Sequence, residues 1–344
     1  MKVTVGLSLT GDKYLGETIP TLMDQDYPDI EYIFWDSEDG IWRAYNFIEK
    51  NLPEVLKKVK FIKGQNLWHS GNNNKMIEMM TGDLYICASN DMLYLKDFVS
   101  KVVKAFKENP DYDFGTVKSM RWDYENGKKK TNIIDSFGIA IDEFHHFYDI
   151  GQTEEDRGQY DNLKDVFGVS GAMFIITKKG LNSIKFEDQY FDNLLHYKND
   201  VDLSYRLKWA GNRGFLIQDV CVYHDRQVAK KKKSTASMGL DVLKNQSTSK
   251  RSLFMKESSF WGDLILMNKN FSKDFPLMIK IKSRTYHFLK NAFRIITTPV
   301  LFKKYKAYLK IKPEVEKRKK AMKMEAPVSE ILRFMKPLKN GKYE

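Results

Sequence analysis

The chain is 344 residues long and carries 57 Lys and Arg against 45 Asp and Glu, a formal net charge of +12. Residues 226–344 hold 30 of these basic residues and 9 of the acidic ones, so a basic tail follows an acidic body. This division argues against a protein whose whole surface tracks nucleic-acid phosphates. It favours a tail that docks on an anionic partner, either a membrane surface or RNA. The length allows one large domain with appendages or two domains.

The two cysteines, Cys87 and Cys221, lie far apart in apolar runs and match neither a metal-binding spacing nor a disulfide framework. We interpret both as reduced core residues of a cytosolic protein. The first residues enter a strand-like run directly rather than a secretory signal, and no apolar stretch reaches the ~18 residues of a membrane span. The sequence therefore predicts a soluble or peripheral protein.

Strand-like and helical patterns alternate along the first ninety residues. Strands are predicted for the apolar runs at residues 3–9, 30–35, 60–62 and 84–88. Helical periodicity over residues 17–23 and 41–59 separates the first three of them. This alternation predicts an α/β fold with a mostly parallel sheet that is covered on both faces. Ligands bind beyond the carboxyl ends of the strands in such sheets, so the polar residues after each strand are candidates for a site.

The middle of the chain has a weaker pattern. Residues 121–167 show little periodicity, which predicts a loop-rich segment that either shapes an acceptor site or is an insertion. Residues 174–177 are predicted to form another buried strand. Residues 200–210 are predicted to form a helix, with Asn199 as its N-cap and Gly211 directly after its end.

The composition changes after His224. Residues 230–233 are a basic run, residues 234–249 are polar, and the remainder is predicted to be helical with aromatic residues and lysines interleaved. Residues 286–302 mix Phe, Leu and Ile with Lys and Arg, as an interfacial membrane helix does. The alternative is an ordinary helical appendage packed on the preceding domain. We place the domain boundary between residues 225 and 226.

Two acidic positions follow predicted strands. Asp36 closes the second strand, where a carboxylate can accept hydrogen bonds from a pyrimidine base or from ribose hydroxyls. The same composition is also common in turns. Asn90 and Asp91 follow the strand at 84–88, where Asp91 can ligate Mg²⁺ or Mn²⁺ that also holds a diphosphate. The alternative is a loop Asp that caps the next helix.

Two further positions can take part in chemistry. Asp200 and Asp202 stand in the first turn of a predicted helix, where a carboxylate can act as general base on an acceptor hydroxyl. Acidic residues are favoured there by the helix dipole alone, which leaves a purely structural role open. His224 ends an apolar run, and its neutral imidazole either ligates a metal or makes a structural hydrogen bond.

Several motifs occur in one order along the chain. They are Gln-Asp-Tyr-Pro at 25–28, Asp-Ser-Glu-Asp-Gly at 36–40, His-Ser-Gly-Asn-Asn-Asn-Lys at 69–75, Ser-Asn-Asp at 89–91, Asp-Ser-Phe-Gly at 135–138, Asp-Arg-Gly at 156–158, Val-Phe-Gly-Val-Ser-Gly-Ala at 166–172 and Asp-Val-Asp-Leu at 200–203. From Lys2 to about His224 the chain thereby resembles glycosyltransferase family 2, specifically its bacterial rhamnosyltransferase-like members with the GT-A fold. Two positions depart from the family pattern. Position 199 is Asn where the family usually has Glu, and position 89 is Ser where the wider signature has Asp.

The resemblance implies a GT-A catalytic domain over residues 1–225, with a donor half at about 1–92 and an acceptor half at about 93–225. A basic helical region, residues 226–344, would follow and associate with the membrane surface. The implied activity is inverting transfer of a sugar from dTDP-rhamnose or a UDP-sugar to a saccharide or lipid-linked saccharide. The implied setting is surface polysaccharide synthesis in the cytoplasm, at the inner face of the plasma membrane.

The resemblance also implies roles for single residues. Asp200 would be the catalytic base, and Asp91 and His224 would hold Mg²⁺ or Mn²⁺. The donor side and the acceptor side would be formed by two sets of residues, Thr10, Asp36, Asn74, Asn90 and Asp91 for the donor, and Gly171 and Asp202 for the acceptor. Two other classes stay open, a nucleotidyltransferase and a non-catalytic sugar-binding or RNA-binding relative, although no nucleic-acid partner is expected. The first lacks a glycine-rich basic loop after the first strand, since residues 10–13 read Thr-Gly-Asp-Lys.

Overall fold

The structure is a computed structural model that describes residues 1–38, 40–226 and 252–344. Asp39 of the second motif, the basic run at 230–233 and the polar segment at 234–249 lie outside the described residues. The strands are β1 Val3–Leu9, β2 Ile30–Asp36, β3 Lys60–Lys63, β4 Leu84–Ser89, β5 Met92–Tyr94, β6 Phe114–Asp123, β7 Lys129–Ser136, β8 Ile139–Ile141, β9 Phe147–Asp149, β10 Phe174–Thr177, β11 Gly214–His224, β12 Leu338–Lys339 and β13 Lys342–Tyr343.

Helices cover the sheet and make up most of the described C-terminal region. They are α1 Leu15–Met23, α2 Arg43–Asn51, α3 Pro53–Leu56, α4 Trp68–Glu78, α5 Phe98–Glu108, α6 Lys178–Ile184, α7 Asn199–Trp209, α8 Leu253–Lys269, α9 Leu277–Thr297, α10 Leu301–Ala321 and α11 Val328–Leu332. Across the described residues, no helix combines the length and the apolar composition needed to cross a bilayer.

The central sheet has the strand order β3-β2-β1-β4-β10-β6-β11-β5, with β7 paired to β6. Strands β3, β2, β1 and β4 are parallel to one another. Strand β10 is antiparallel to both β4 and β6, and β11 is parallel to β6, so β11 runs in the same direction as β4. The carboxyl ends of β1, β2, β4 and β11 therefore meet at one edge of the sheet, together with the beginning of β10. This confirms the predicted mostly parallel α/β fold.

Both faces of the sheet are buried because alternate side chains of each strand enter different cores. In β4, Ile86 joins the core that contains Val5 and Val99, whereas Cys87 joins the one that contains Ile33 and Phe174. Cys87 is buried and Cys221 is half-buried, and neither forms a disulfide.

Most element predictions are confirmed, and three differ from the structure in whole or in part. The helix predicted over residues 41–59 is divided, because Pro53 has no backbone N–H and begins a separate helix, α3. The segment at 121–167 is loop-rich only in part. It contains β7, which starts with exposed polar residues, and the three-residue strands β8 and β9, whereas residues 150–167 form turns and isolated bridges. Asn199 is not an N-cap, because α7 already includes it and follows Lys198 in the left-handed conformation, φ 65°. Gly211 does follow the helix with φ 81°.

The C-terminal helices share a hydrophobic core with α7. Tyr205 and Trp209 of α7 and Phe167 belong to the same buried cluster as Phe260 of α8 and Phe334. The described residues on the two sides of the predicted boundary therefore pack together through an apolar interface. This arrangement fixes α7, the helix whose first turn carries Asp200.

Candidate active site

A corner of three side chains lies where β4 and β11 end. His224 Nε2 is 3.3 Å from Asp91 Oδ2, and its Nδ1 donates to Asp135 Oδ2 on β7 at 2.7 Å. Arg121 Nε lies 3.2 Å from Asp135 Oδ1 and balances its charge. Burial lowers the pKa of the His224 imidazole, but the charges of Asp91 and Asp135 outweigh burial and raise that pKa to about 10.

The donor set of this corner fits a divalent cation. Since Nδ1 is committed to Asp135, Nε2 is the nitrogen that faces Asp91. A carboxylate on the far ring nitrogen is the arrangement typical of metal-binding histidines. Among the described residues, no group of three or more His, Cys, Asp and Glu side chains comes together as a metal site. The protein would therefore supply one oxygen and one nitrogen ligand, which suits Mg²⁺ or Mn²⁺ when phosphates and water complete the coordination.

The loops after β1, β2 and β4 are tied to one another at the same edge. Asn90 Nδ2 donates to the carbonyl oxygen of Thr10 at 3.1 Å, and Thr10 Oγ1 lies 3.2 Å from Ser37 Oγ. Thr18 Oγ1 donates to the carbonyl oxygen of Asn90 at 2.9 Å. Thr10 is exposed and Asn90 is half-buried, so both can contact a ligand lying across the strand ends.

Asp36 is fully buried and holds its own loop. Its carboxylate accepts from the backbone N–H of Glu38 at 3.1 Å and from that of Tyr45 at 3.0 Å. Burial raises its pKa, and the two backbone N–H groups oppose that shift. Asp36 therefore fixes the loop that follows β2 at this edge of the sheet.

Asn74 has a structural role instead of facing the strand ends. It is buried, donates to the carbonyl oxygen of Phe191 at 2.9 Å, and accepts from the N–H groups of Tyr190 and Phe191 at 2.9 and 2.8 Å. These three bonds fix the chain before α7. Because both the nitrogen and the oxygen of the Asn74 amide bind backbone groups, we do not include Asn74 in the donor site.

Asp200 lies beside Gly171, which precedes β10. Its Oδ2 accepts from the N–H of Gly171 at 3.0 Å, and its Oδ1 accepts from the N–H of Val201 at 2.8 Å. A Cβ on Gly171 would come within 3.3 Å of Asp200 Oδ2, so glycine allows the backbone to approach the carboxylate. Burial raises the pKa of Asp200, the Gly171 N–H lowers it, and the charge of Asp149 raises it again. A half-buried carboxylate with a raised pKa is a suitable proton acceptor.

His69 is a site residue that sequence reasoning placed only inside a motif. Asn199 Nδ2 donates to His69 Nδ1 at 2.8 Å, and His69 Nε2 donates to the carbonyl oxygen of Gly171 at 2.9 Å. Burial lowers the pKa of this imidazole to about 4, so it is neutral at pH 7. The Asn at position 199, a departure from the family pattern, therefore supports the Gly171 backbone that contacts Asp200.

The sequence predicts Asp202 on the acceptor side, and the structure overturns this. Asp202 is fully buried and accepts from Arg206 Nε at 2.8 Å and from Asn270 Nδ2 at 2.9 Å. Lys269 Nζ lies 2.8 Å from its Oδ1. These cations lower the pKa of Asp202 to about 2 against the effect of burial. Asp202 is thus an ion-pair anchor, inaccessible to an acceptor.

Arg226 and Asp149 connect the His224 corner to the Asp200 end. Arg226 NH1 lies 3.5 Å from Asp135 Oδ1, and Arg226 NH2 lies 2.7 Å from Asp149 Oδ2. Both Asp149 and Arg226 act electrostatically on Asp200. Sequence reasoning missed both residues, and the only signal was that Arg226 stands two positions after His224. The arrangement brings the Asp91–His224 pair and the Asp200 carboxylate to one edge of the sheet.

Comparisons with known proteins give one family and several distant structures. The sequence model described as Glycosyl transferase family 2 matches residues 10–181, half of the chain. A search of curated protein sequences finds no match.

Among solved structures, residues 1–349 of S. aureus TarS in complex with UDP match with a TM-score of 0.45 and 13% identity, over 97% of this chain and 90% of that one. GalNAc-T7 with UDP, GalNAc and Mn²⁺ matches with a TM-score of 0.52 and 11% identity, over 83% of this chain and 55% of that one. The chain thus spans about half the length of GalNAc-T7. The likeness to GalNAc-T7, which has the higher TM-score of the two, supports the fold.

Proposed function

This chain belongs to glycosyl transferase family 2 and has the GT-A fold, and on that premise we propose that it transfers a sugar, with inversion, from a nucleoside-diphosphate donor to an acceptor hydroxyl. Asp200 acts as the general base, and Asp91 with His224 holds a divalent cation. The family favours glycosyl transfer over nucleotidyl transfer. Donors of the dTDP-rhamnose and UDP-sugar types both fit this proposal.

One observation carries the proposal. Two separate chemical groups, the Asp91–His224 pair and the Asp200 carboxylate, stand at the same edge of the sheet. Contacts among Asp135, Arg226 and Asp149 extend from the pair towards Asp200, and the charges of Arg226 and Asp149 act on its carboxylate. Inverting transfer needs charge stabilisation at the leaving group and a base on the other side of the sugar. The edge offers both.

Asp200 removes the acceptor proton as the hydroxyl attacks the anomeric carbon from the face opposite the leaving diphosphate. The Gly171 N–H holds Oδ2, and the Val201 N–H holds Oδ1, so the carboxylate is oriented before an acceptor arrives. His69 and Asn199 orient Gly171 in turn. Gly171 thereby belongs to the acceptor side.

Asp91 Oδ2 and His224 Nε2 are the atoms that would hold the cation, and Asp135 keeps the His224 ring in the required orientation. A divalent cation held there supplies positive charge to the departing diphosphate. Thr10, Asn90 and Asp36 form or support the loops against which the nucleotide lies. The Asn90 to Thr10 bond keeps two of these loops together.

The acceptor in this proposal is a saccharide or lipid-linked saccharide at the inner face of the plasma membrane. The net positive charge of residues 226–344 supports an anionic membrane surface as the setting. The reaction then belongs to surface polysaccharide synthesis.

The test is a nucleotide screen with purified protein. UDP, dTDP, GDP and CMP are compared by thermal shift, each with and without Mn²⁺, and the nucleotide sugars of any responder are then tested for turnover. We expect one nucleoside diphosphate to raise the melting temperature only when Mn²⁺ is present, and its sugar to be consumed. No stabilisation by any of the four would refute the donor site. Stabilisation without turnover of any sugar would identify a binding-only relative.

A further inference from the structure

Helix α9 buries mainly polar side chains and exposes a stripe of large apolar ones. Its buried residues are Ser283, His287 and Lys290, while Ile279 and Ile295 are partly buried against the core that contains Phe260. The large apolar residues on its outer side are between 50 and 76% exposed, and they are Leu277, Met278, Ile281, Phe288, Leu289 and Ile296. At about 100° per residue these six positions fall within an arc of roughly 120°, so they form one continuous stripe.

The inner side of α9 is fixed by polar contacts. Ser283 Oγ donates to the carbonyl oxygen of Glu143 at 2.9 Å. Lys290 Nζ and Arg294 NH1 lie 2.8 and 2.6 Å from Asp263 Oδ2 on α8. The helix therefore cannot rotate to bury its stripe without removing two of the three cations that surround the buried Asp263 carboxylate, which leaves Lys198 as its remaining ion-pair partner and is costly.

A stripe of this kind is unfavourable against water and favourable against an apolar surrounding. Each Å² of apolar surface removed from water contributes ~25 cal/mol. A helix with the usual polarity would place its charges outward and its Leu, Ile and Phe inward. The reversed polarity of α9 indicates that its outer surroundings are not purely aqueous when the protein works.

The charge around the stripe has one sign. Helix α9 contains five Lys and Arg and no Asp or Glu. The first twelve residues of α10, 301–312, likewise contain five Lys and no acidic residue, with Phe302, Tyr305 and Leu309 exposed between them. Cations beside an exposed apolar stripe match the phosphate and acyl layers of an anionic bilayer.

The first turns of α9 also line a shallow pocket of about 260 Å³. Three cations and two apolar side chains surround it, namely Lys273, Lys280, Arg284, Leu277 and Ile281. This composition suits the phosphate of a lipid headgroup together with the glycerol and upper acyl region below it. The pocket is continuous with the stripe, since Leu277 and Ile281 belong to both.

We propose that the outward stripe of α9, with the basic pocket at its first turns, docks the protein flat on an anionic lipid bilayer. A second copy of the chain is a poorer occupant, because two such surfaces would bring like charges together. RNA would use the cations but leave the apolar stripe in water. The proposal rests on the membrane setting of the proposed function and names the surface that meets the bilayer, but it does not depend on Asp200 or Asp91.

Vesicle flotation of the full-length protein tests this proposal. The vesicles are phosphatidylcholine alone or phosphatidylcholine with 30% phosphatidylglycerol, at about 0.15 M salt, near physiological ionic strength. We expect the wild-type protein to float with the anionic vesicles and not with the neutral ones. The double variant Phe288→Glu/Ile296→Glu should bind at least about tenfold more weakly, because two charges enter the apolar layer.

Met324→Glu is the matched control, since Met324 is an exposed apolar residue of the C-terminal region outside α9. It should float like the wild-type protein. Both variants should keep the wild-type melting temperature, because the changed residues are exposed. Lys280→Gln/Arg284→Gln should lose the preference for phosphatidylglycerol.

Equal flotation of the wild-type protein and the Phe288→Glu/Ile296→Glu variant would overturn the proposal, as would no flotation of the wild-type protein. A concentration-dependent dimer that the same double variant abolishes, without flotation, would assign the stripe to self-association. Competition of flotation by RNA with no effect of the double variant would assign the surface to nucleic acid. The Mn²⁺-dependent nucleotide shift should be unchanged in all these variants, so failure here is distinct from failure of the donor site.

Discussion

The two ends of the candidate site are supported by different parts of the chain. The Asp91–His224–Asp135 corner is built from side chains on or directly after strands β4, β7 and β11. The first turn of α7 is held from outside the sheet. Lys269 reaches Asp202, and Asp263 pairs with Lys198, the residue before α7.

A close backbone approach strengthens this second support. A Cβ on Gly262 of α8 would come within 2.8 Å of the carbonyl oxygen of Tyr197, so α8 packs directly on the chain that enters α7. The C-terminal helices therefore take part in positioning the proposed base. The corner formed by Asp91, His224 and Asp135, called the cation corner after its proposed ligand, contains no residue of these helices.

The largest expected effect separates the two ends directly. Asp200→Asn should lower transfer by roughly 10² to 10⁴-fold, because the amide cannot accept the acceptor proton. The Mn²⁺-dependent thermal shift by the nucleotide should stay at the wild-type value, since the cation corner is unchanged. Turnover assays and thermal shift measure the two quantities. Full turnover by this variant would remove Asp200 from the role of base.

Lys269→Met tests whether the C-terminal support matters. Lys269 lies 2.6 Å from Asp192 and 2.8 Å from Asp202, all three buried. Loss of one partner in a buried ion cluster costs about 3 kcal/mol. We expect that loss in chemical denaturation, together with a lower kcat and an unchanged nucleotide shift.

Lys282→Met is the control, because Lys282 pairs with Glu143 at 2.8 Å where both side chains are more than a third exposed. Its cost should stay below about 1 kcal/mol. If both variants were equally stable, the buried cluster would not support α7.

Gly171→Ala tests the contact between the Gly171 backbone and the Asp200 carboxylate. The new Cβ would lie 3.3 Å from Asp200 Oδ2, closer than a relaxed contact, so the carboxylate must move. We expect kcat to fall by about tenfold, as for a small misplacement of a catalytic group, with little change in donor KM. Gly16→Ala in α1 is the control, because its Cβ meets only Phe47 at 3.7 Å. A fall in kcat for both variants would point to general instability.

The last prediction concerns pH and the far end of α7. Lys208 is buried near the rings of Phe114 and Phe334, and burial lowers its pKa from 10.5 to about 7. Between those values the unfolded chain binds more protons than the folded chain, so the free energy of unfolding rises with pH from about 7 to about 10. Below pH 7 this contribution is constant.

Lys208→Met should reduce that rise in denaturation curves measured from pH 6 to pH 10, and buried Lys290, whose pKa is also lowered to about 7, should account for part of what remains. A slope identical to that of the wild-type protein would show that Lys208 is not the titrating group.

Part of the sheet could be predicted because several strands are mainly apolar and buried along nearly their whole length. Residues 3–9 and 174–177 are strands with the predicted limits. Strands β7, β8 and β9 could not be predicted, because β7 begins with exposed polar residues and β8 and β9 have three residues each, too few to show a period. Within the site, Asp91, His224 and Asp200 follow strand ends or begin a helix, which is a local signal. The burial of Asp202 depends on Lys269 and Asn270, and no local pattern reports a partner that distant in sequence.

The separation between Asp202 and Asn270, 68 residues along the chain, orders events during biosynthesis. When a ribosome has released only the sheet and α7, Tyr205 and Trp209 still face water and Asp202 lacks two of its partners. The cation corner can form at that stage, and the proposed base cannot be fixed until α8 emerges and packs. If the proposed function holds, a nascent chain would be able to bind the nucleotide before it could use it, and catalytic competence would arrive only after α8 has packed on α7.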